Sequence, residues 1–517
     1  MDKNDERLRT TDDRRLTTDD RSQTQGACWF VFCSQWPVVW SLFLVVFFSG
    51  CASTGPSYKI LEEDFPGKQY RPQFVDKTVR VADYTIVNSY VIGAVTRPFS
   101  YAQRALTFSR DMAYDAATAP VCIFHPENKI IPPLEHGPAM DLEDFEGHLD
   151  ALTRRKASQG SMRFLIGGEE FFPRLEEAIE RAEKSIDIRI FIFDQDDYGV
   201  RIANILKKKS LQGVRVRVLL DSTGQILGEG KTPDDLPKDF VPPYSMVTYL
   251  KKDSKIQVRL RPNALFQADH TKTITIDRKV CFTGGMNIGR EYRYDWHDMM
   301  IELQGPVLGE IIHEFDLAWA HAGFWGDFGY TMARIWRKPP KIEGEGHPVR
   351  MLYTRSNNPE LYRAQLEAIR RARKSIWINN AYFSDNEILY GLIRARRRGV
   401  DVRLILPVRG NHEIMNKSNI ITANILFRNG IQIYFYPGMS HIKAAVYDGW
   451  LCTGSANFDK LSLRDNLEMN VATSDPEIVQ RLKERLFEKD FVRSKLMTAP
   501  VKSNLTDVMA EIVAEQL

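Results

Sequence analysis

A chain of 517 residues is long enough for two to four domain-sized units, each with a core of its own. Apolar and charged fractions of 43% and 26% exclude global disorder, and a net charge of +3 argues against a dedicated nucleic-acid binder, which carries a strong basic excess. The six cysteines, Cys28, Cys33, Cys51, Cys122, Cys281 and Cys452, offer no pair or Cys/His cluster with zinc-ligand spacing, so neither a structural metal nor a disulfide framework is expected.

The chain opens on a polar near-duplication, Thr10-Thr11-Asp12-Asp13-Arg14 and Thr17-Thr18-Asp19-Asp20-Arg21, which has nothing to bury. From Cys28 to Phe48 it turns apolar, broken only by Ser34, Gln35, Pro37 and Ser41, and then reads Ser49-Gly50-Cys51-Ala52-Ser53. An apolar stretch ending in small residues before a Cys resembles a bacterial lipoprotein signal peptide, which implies lipidation at Cys51 and a place in the cell envelope. An uncleaved transmembrane anchor is the alternative, since about 20 apolar residues suffice to span a bilayer. Arg and Lys are frequent before the run and the next basic residue after it is Lys59, so both readings put the remainder outside the cytoplasm.

Residues 1–50 are thus a tail plus a signal or anchor, and residues 51–155 an extension of uncertain organisation. Within it Pro98–Ala119 reads as one or two short helices, and the stretch around Ile131-Pro132-Pro133 as a linker. Beyond it an internal duplication governs the reading. Glu177-Ala178-Ile179, Ala182 and Lys184-Ser185-Ile186 recur as Glu367-Ala368-Ile369, Ala372 and Lys374-Ser375-Ile376. Each copy predicts an amphipathic helix followed by a strand, Ile186–Phe193 and Ile376–Phe383. Gly213–Leu220 matches Gly399–Leu406, glycine after a helix and then an apolar strand. Met162–Gly168 and Val349–Tyr353 open the two copies as strands, whereas Gly224–Tyr244 is an insertion in the first copy alone. The class is therefore α/β: two halves, 156–345 and 346–517, the second with a C-terminal helix, related by a pseudo-twofold axis, each a mixed sheet flanked by helices.

Each half contains His-x-Lys-x4-Asp: His270, Lys272 and Asp277 in the first, His441, Lys443 and Asp448 in the second. A strand after each Lys puts His and Lys, two apart, on one face. Asp277-Arg278-Lys279 and Asp448-Gly449-Trp450 read as turns into a returning strand, which ends in Gly284-Gly285-Met286-Asn287 and Gly454-Ser455-Ala456-Asn457. Glycine lets backbone approach a ligand closely, and Asn287, Ser455 and Asn457 carry donors for phosphate oxygens. Further on stand Asp298 and Glu468, an acid in each half to orient a histidine ring. Cys281 and Cys452 fall at matching places in apolar runs and read as small buried core residues.

These paired motifs resemble the phospholipase D superfamily over roughly residues 160–495, and within it bacterial cardiolipin synthases. Tyr382-Phe383 matches that branch, while Asn379-Asn380-Ala381 and Thr271 depart from its usual residues. The resemblance implies one site shared by both halves. His270 is then the nucleophile that forms a phosphohistidine and His441 the acid. Lys272 and Lys443 neutralise the phosphodiester, assisted by Asn287, Ser455 and Asn457. Asp298 and Glu468 orient the imidazoles, and Asp277 and Asp448 brace the motifs through hydrogen bonds. No metal or cofactor is required. The expected activity is phosphatidyl transfer on membrane phospholipids; the alternatives are hydrolysis of phospholipids or other phosphodiesters, nucleic acid among them, and a noncatalytic lipid-binding envelope lipoprotein. Phospholipid and membrane are the expected partners, with no obligate protein partner.

Overall fold

A computed structural model describes residues 82–122, 130–135, 137–228, 236–264, 267–355 and 357–502. The apolar run Cys28–Phe48, Cys51 and part of the Gly224–Tyr244 insertion lie outside them. Among the described residues no helix is long and apolar enough to cross a membrane.

The first half contributes seven strands in chain order: β1 (Ser158–Ile166), β2 (Ser185–Ile190), β3 (Arg215–Asp221), β4 (Gln257–Arg261), β5 (Thr273–Ile276), β6 (Val280–Gly284) and β7 (Met299–Gln304). The second repeats them as β8 (His347–Arg355), β10 (Ser375–Asn380), β11 (Asp401–Pro407), β12 (Gln432–Tyr436), β13 (Lys443–Tyr447), β14 (Trp450–Gly454) and β15 (Glu468–Thr473), with short additions β9 (Asn358–Pro359) and β16 (Lys495–Leu496). The spatial order β4-β3-β2-β5-β6-β7-β1 is matched by β12-β11-β10-β13-β14-β15-β8. In both halves the three strands furthest from the junction run parallel and the rest are antiparallel. The two expected sheets do not end separately: β1 pairs with β8, so one mixed sheet runs through the molecule.

Local chemistry explains the repeat. Asp196 and Asp385 accept backbone N–H bonds at the starts of helices Asp197–Leu211 and Asn386–Arg397, and Gly213 and Gly399, at φ 96° and 86°, close them where a Cβ would be strained. β2 and β10 are buried along most of their length between helices and their strand neighbours, so they carry apolar residues such as Ile186, Ile188, Ile376 and Ile378. Both strands stop short of the expected ends. Phe193 and Phe383 leave the sheet to bridge Ile288 and Phe458, and in doing so bring the Asn287 and Asn457 turns to the strand ends.

Among the described residues the three larger apolar clusters lie one in each half and a third between them, where Phe164, Ile301 and Leu303 of the first half meet Met351, Val446 and Leu451 of the second. The extension packs on this core. Pro98–Cys122 is a single helix, with Pro at its first position where the missing N–H costs nothing. Before it, Tyr84 shares a hydrogen bond with Ser245 and Arg97 donates to the carbonyls of His321 and Gly323, all in the first half. Within it, buried Arg104 pairs with Asp465 of the second. The Pro-rich stretch runs along the second half, where Glu135 N–H donates to the Gly399 carbonyl. It leads into a helix that the sequence pattern did not reveal, Leu142–Thr153, capped by Asp141 and buried through Phe145 edge-on to Trp450 at 5.1 Å.

Candidate active site

The two His-x-Lys segments lie at the entrances of β5 and β13, and each is pinned to the other half. His270 N–H donates to the Leu467 carbonyl at 2.9 Å, and Leu467 N–H to the Ala268 carbonyl at 2.9 Å; His441 N–H donates to the His297 carbonyl at 2.7 Å, and His297 N–H to the Met439 carbonyl at 3.0 Å. Leu467 and His297 each precede an acid, so the ring contacts are crossed. Glu468 of the second half holds Nδ1 of His270 at 2.9 Å, and Asp298 of the first holds Nδ1 of His441 at 2.6 Å. Committing Nδ1 to a carboxylate fixes the ring and leaves Nε2 for chemistry.

Lys272 and Lys443 are almost wholly buried, and each donates Nζ to the carbonyl of its own motif histidine at 2.7 Å. The electrostatics join all four side chains into one site. Burial, then Lys272 and Lys443, hold the His270 imidazole well below its ordinary range; burial and Lys443 bring His441 down to about 3, against the pull of Asp298. Burial also lowers Lys272 to about 7 and Lys443 to about 8, and pushes the Glu468 carboxyl up to about 8. Burial thus disfavours the charged form of each of these groups, and an anion bound beside the lysines would favour their cationic forms.

The remaining residues singled out from sequence divide into two groups. Asp277 and Asp448 lie at the far ends of β5 and β13 from the histidines. Asp277 accepts from the backbone N–H groups of Glu183, Lys184 and Ser185, and Asp448 from those of Arg373, Lys374, Ser375 and Met140, so both tie the hairpin to the helix-to-strand turn. Nearer the rings, Ser455 donates Oγ–H to the second oxygen of Glu468 at 2.5 Å. Asn287 accepts from Ile192 N–H and donates to the Tyr292 hydroxyl at 2.7 Å, while the buried Asn457 Oδ1 has no partner. Gly285, opposite Ser455 in the repeat, is required by space: a Cβ there would stand 2.2 Å from Asp298 Oδ1.

Other side chains around the rings were not assigned a role from sequence. His441 is enclosed by Trp296, Tyr292 and Tyr382, with ring centroids 5.1, 5.9 and 6.2 Å away; His270 meets Phe191 edge-on at 4.9 Å. Behind His441, Asp490 accepts from His297 at 2.9 Å and from Asn379 at 2.8 Å, and Ser440 donates to Asn379 at 3.0 Å. Spacing gave no signal for Asp490, which reaches the site from a helix far along the chain. The buried Cys281 and Cys452 are free thiols, each pushed up to about 12 by burial.

Fold and site define a class: a duplicated α/β protein with a single composite histidine–lysine centre, each ring held by the acid of the opposite half. A family model described as "Cardiolipin synthase, PLD-like domain" matches residues 175–319 and 366–491, more than half of the chain, which belongs to this phospholipase D-like family. Among curated relatives, cardiolipin synthase A of Pseudomonas fluorescens is 28% identical over 354 residues, 65% of this chain and 70% of that protein. Cardiolipin synthase B of Salmonella typhimurium is 29% identical over 343 residues (63% and 79%), and the probable cardiolipin synthase YwiE of Bacillus subtilis 29% over 363 residues (66% and 68%). Among solved structures, phosphatidylserine synthase of Haemophilus influenzae shares the fold with a TM-score of 0.55 at 13% identity, over 72% of this chain and 95% of that one.

Proposed function

We propose that the chain is a phosphatidyltransferase that acts on membrane phospholipids through a phosphohistidine, in the manner of the cardiolipin synthases it resembles. The observation that carries this reading is the crossed pairing, His270 with Glu468 and His441 with Asp298, around two buried lysines. A phosphodiester anion repels nucleophiles, and two buried lysines whose cationic forms are favoured as the anion binds lower that barrier. Nε2 of His270 attacks phosphorus, the N–P bond forming as the P–O bond to the first alcohol breaks, and His441 gives its Nε2 proton to that departing oxygen. The hydroxyl of a second lipid then returns a proton to His441 and attacks phosphorus, releasing His270. Asp298 on Nδ1 favours the cationic form of His441 once a bound anion offsets the lysines, which suits it to the acid role. The Asn457 amide N–H and the Ser455 hydroxyl, which would turn from Glu468, are the donors that meet the substrate phosphate.

Incubating the purified protein with phosphatidylglycerol, or with phosphatidylglycerol and phosphatidylethanolamine, and following products by mass spectrometry tests the reading. Cardiolipin is the expected product. Phosphatidic acid alone would make the protein a hydrolase, and no lipid turnover with cleavage of DNA would remove the lipid reading. The same proposal places the protein in the cell envelope through Cys51: Cys51→Ala lowers the mature mass by the acyl groups and releases protein from the membrane fraction, whereas unchanged mass and retention count against lipidation.

A further inference from the structure

Helix Gly326–Trp336 presents its apolar stripe outward. Trp325 at its start, Phe328, Ile335 and Trp336 recur at helical spacing and are 68%, 62%, 60% and 76% exposed. Two rings extend the stripe into one surface. Phe324, 80% exposed, lies 5.6 Å from Trp325, and Phe99, 79% exposed, is held beside the helix because its N–H donates to Asp327 at 2.8 Å. Asp327 also accepts from Ser100 N–H at 3.0 Å, so the start of helix Pro98–Cys122 is fastened to this face. Together these side chains expose on the order of 800 Å² of largely apolar surface, more than a soluble monomer ordinarily shows in one patch.

The charge around the patch identifies what covers it. From Phe328 to Ile342 the chain carries Arg334, Arg337, Lys338 and Lys341 and no acidic residue, and all four are exposed. Arg337 approaches Asp316 at 3.5 Å, the nearest acid on the underlying helix. Large aromatic rings with a basic rim and no acid between them fit the boundary between acyl chains and anionic headgroups, where indoles partition and cations meet phosphate. A protein partner would more often bury a closed pocket with a polar rim of both signs. The extension reaches this face from the amino-terminal side, and its helix Ala82–Ile92 exposes Ile86 and Val91 as well, downstream of the apolar run Cys28–Phe48.

We infer that this face is a second membrane contact: helix Gly326–Trp336 and Phe99 lie in the interface of an anionic bilayer, apart from any anchor at the amino terminus. The inference goes beyond the proposed reaction and does not depend on it, because a protein that turned over no lipid would still place these rings in the bilayer.

The full chain reconstituted into phosphatidylcholine vesicles, with or without a third of phosphatidylglycerol, provides the test through quenching of indole fluorescence by lipids brominated near the glycerol end of the acyl chain. Trp325→Phe with Trp336→Phe changes two of nine tryptophans at exposed positions. The expected result is that bromolipid quenching of the wild type exceeds that of the double variant at least about twofold, and that the excess shrinks in Arg334→Ala/Lys338→Ala/Lys341→Ala. Equal quenching of wild type and double variant overturns the inference. So does a wild type whose two indoles escape bromolipid while Trp325→Ser/Phe328→Ser changes the oligomeric mass in detergent, which would assign the face to a second copy. Thermal unfolding of each variant, expected within a few degrees of wild type, separates either outcome from misfolding.

Discussion

The two halves share a strand order and a motif, yet they surround their histidines differently. In the first half the acid Asp298 stands beside Gly285 and reaches across to a ring enclosed by Trp296, Tyr292 and Tyr382. In the second, Glu468 takes a hydroxyl from Ser455 on one oxygen and reaches across with the other to a ring that meets Phe191. Duplication supplies the frame, and divergence at a few side chains makes the two imidazoles unequal. Because the acids cross, neither half holds a complete centre.

The largest effect separates the roles of the rings. His270→Ala and His441→Ala each lower kcat/KM for a natural phosphodiester by more than ~10³-fold, and the double variant is no worse than the weaker single, as for groups that act in one step. A substrate with a good leaving group, such as a nitrophenyl phosphodiester, needs no acid. It rescues His441→Ala and leaves His270→Ala inactive. Activity that survives either single change with the natural substrate would make the halves independent sites.

The acids come next, and here the crossing itself is tested. Glu468→Gln and Asp298→Asn each cost ~10²–10³-fold by releasing the ring they orient. A nitrophenyl phosphodiester, which needs no acid, should rescue Asp298→Asn, whose ring is His441, and leave Glu468→Gln, whose ring is the nucleophile His270, slow. The reverse assignment would show that the rings exchange roles.

A smaller pair exchanges the residues on which the halves differ. Gly285→Ala forces a Cβ against Asp298 and misplaces the ring that Asp298 holds, costing ~10²-fold in kcat, since displacements near 1 Å carry such penalties. Ser455→Gly removes one hydrogen bond from Glu468 and costs about tenfold. Equal effects would mean that the two acids sit in equivalent environments.

Much of this was legible in the sequence because it repeats. The β2–β3 and β10–β11 units, the Gly213 and Gly399 helix ends and the six motif residues all recur at matching intervals, and periodicity converts directly into strands with buried faces. The crossing of the acids was not legible, since Asp298 and Glu468 are equally placed to serve either ring until the halves are docked. Helix Leu142–Thr153 leaves little trace for a related reason: its partners, Trp450 above all, lie some 300 positions away, and it interleaves four acidic residues with its apolar ones. Tyr382 reaches His441, and Asp490 reaches His297 and Asn379, through tertiary packing that leaves no local pattern.

The pH profile tests whether the two lysines are as unlike as the rings. Each must be cationic to offset the phosphate, and burial has lowered both, to about 7 for Lys272 and about 8 for Lys443. The charged form is present below those values and lost above them. Hence kcat/KM, which reports the free enzyme, falls as pH rises through 7 to 8, by up to about tenfold per unit. Lys443 is among the charges that depress Lys272, so Lys443→Ala lowers the plateau and moves the remaining alkaline limb upward. A limb that stays in place would mean that Lys443 does not act on Lys272.

The smallest effect on chemistry belongs to the bracing aspartates, and it is one of stability. Asp277 accepts three backbone N–H groups and Asp448 four, the fourth from Met140 of the extension. Asp277→Ala and Asp448→Ala therefore destabilise by about 1–3 kcal/mol each, the second more, with kcat of the folded fraction unchanged. Burial pushes the Asp277 carboxyl up, and its backbone hydrogen bonds outweigh that and hold it below its ordinary range. A carboxyl depressed on folding contributes its stability above the unfolded value near pH ~4 and loses it as pH falls through the folded value. Denaturant titration of wild type and Asp277→Ala at descending pH should show the gap between them closing below about pH 4. A gap that persisted in acid would mean that the side chain braces the turn by shape and not by charge, and a fall in kcat would place Asp277 in the chemistry, contrary to its distance from both rings.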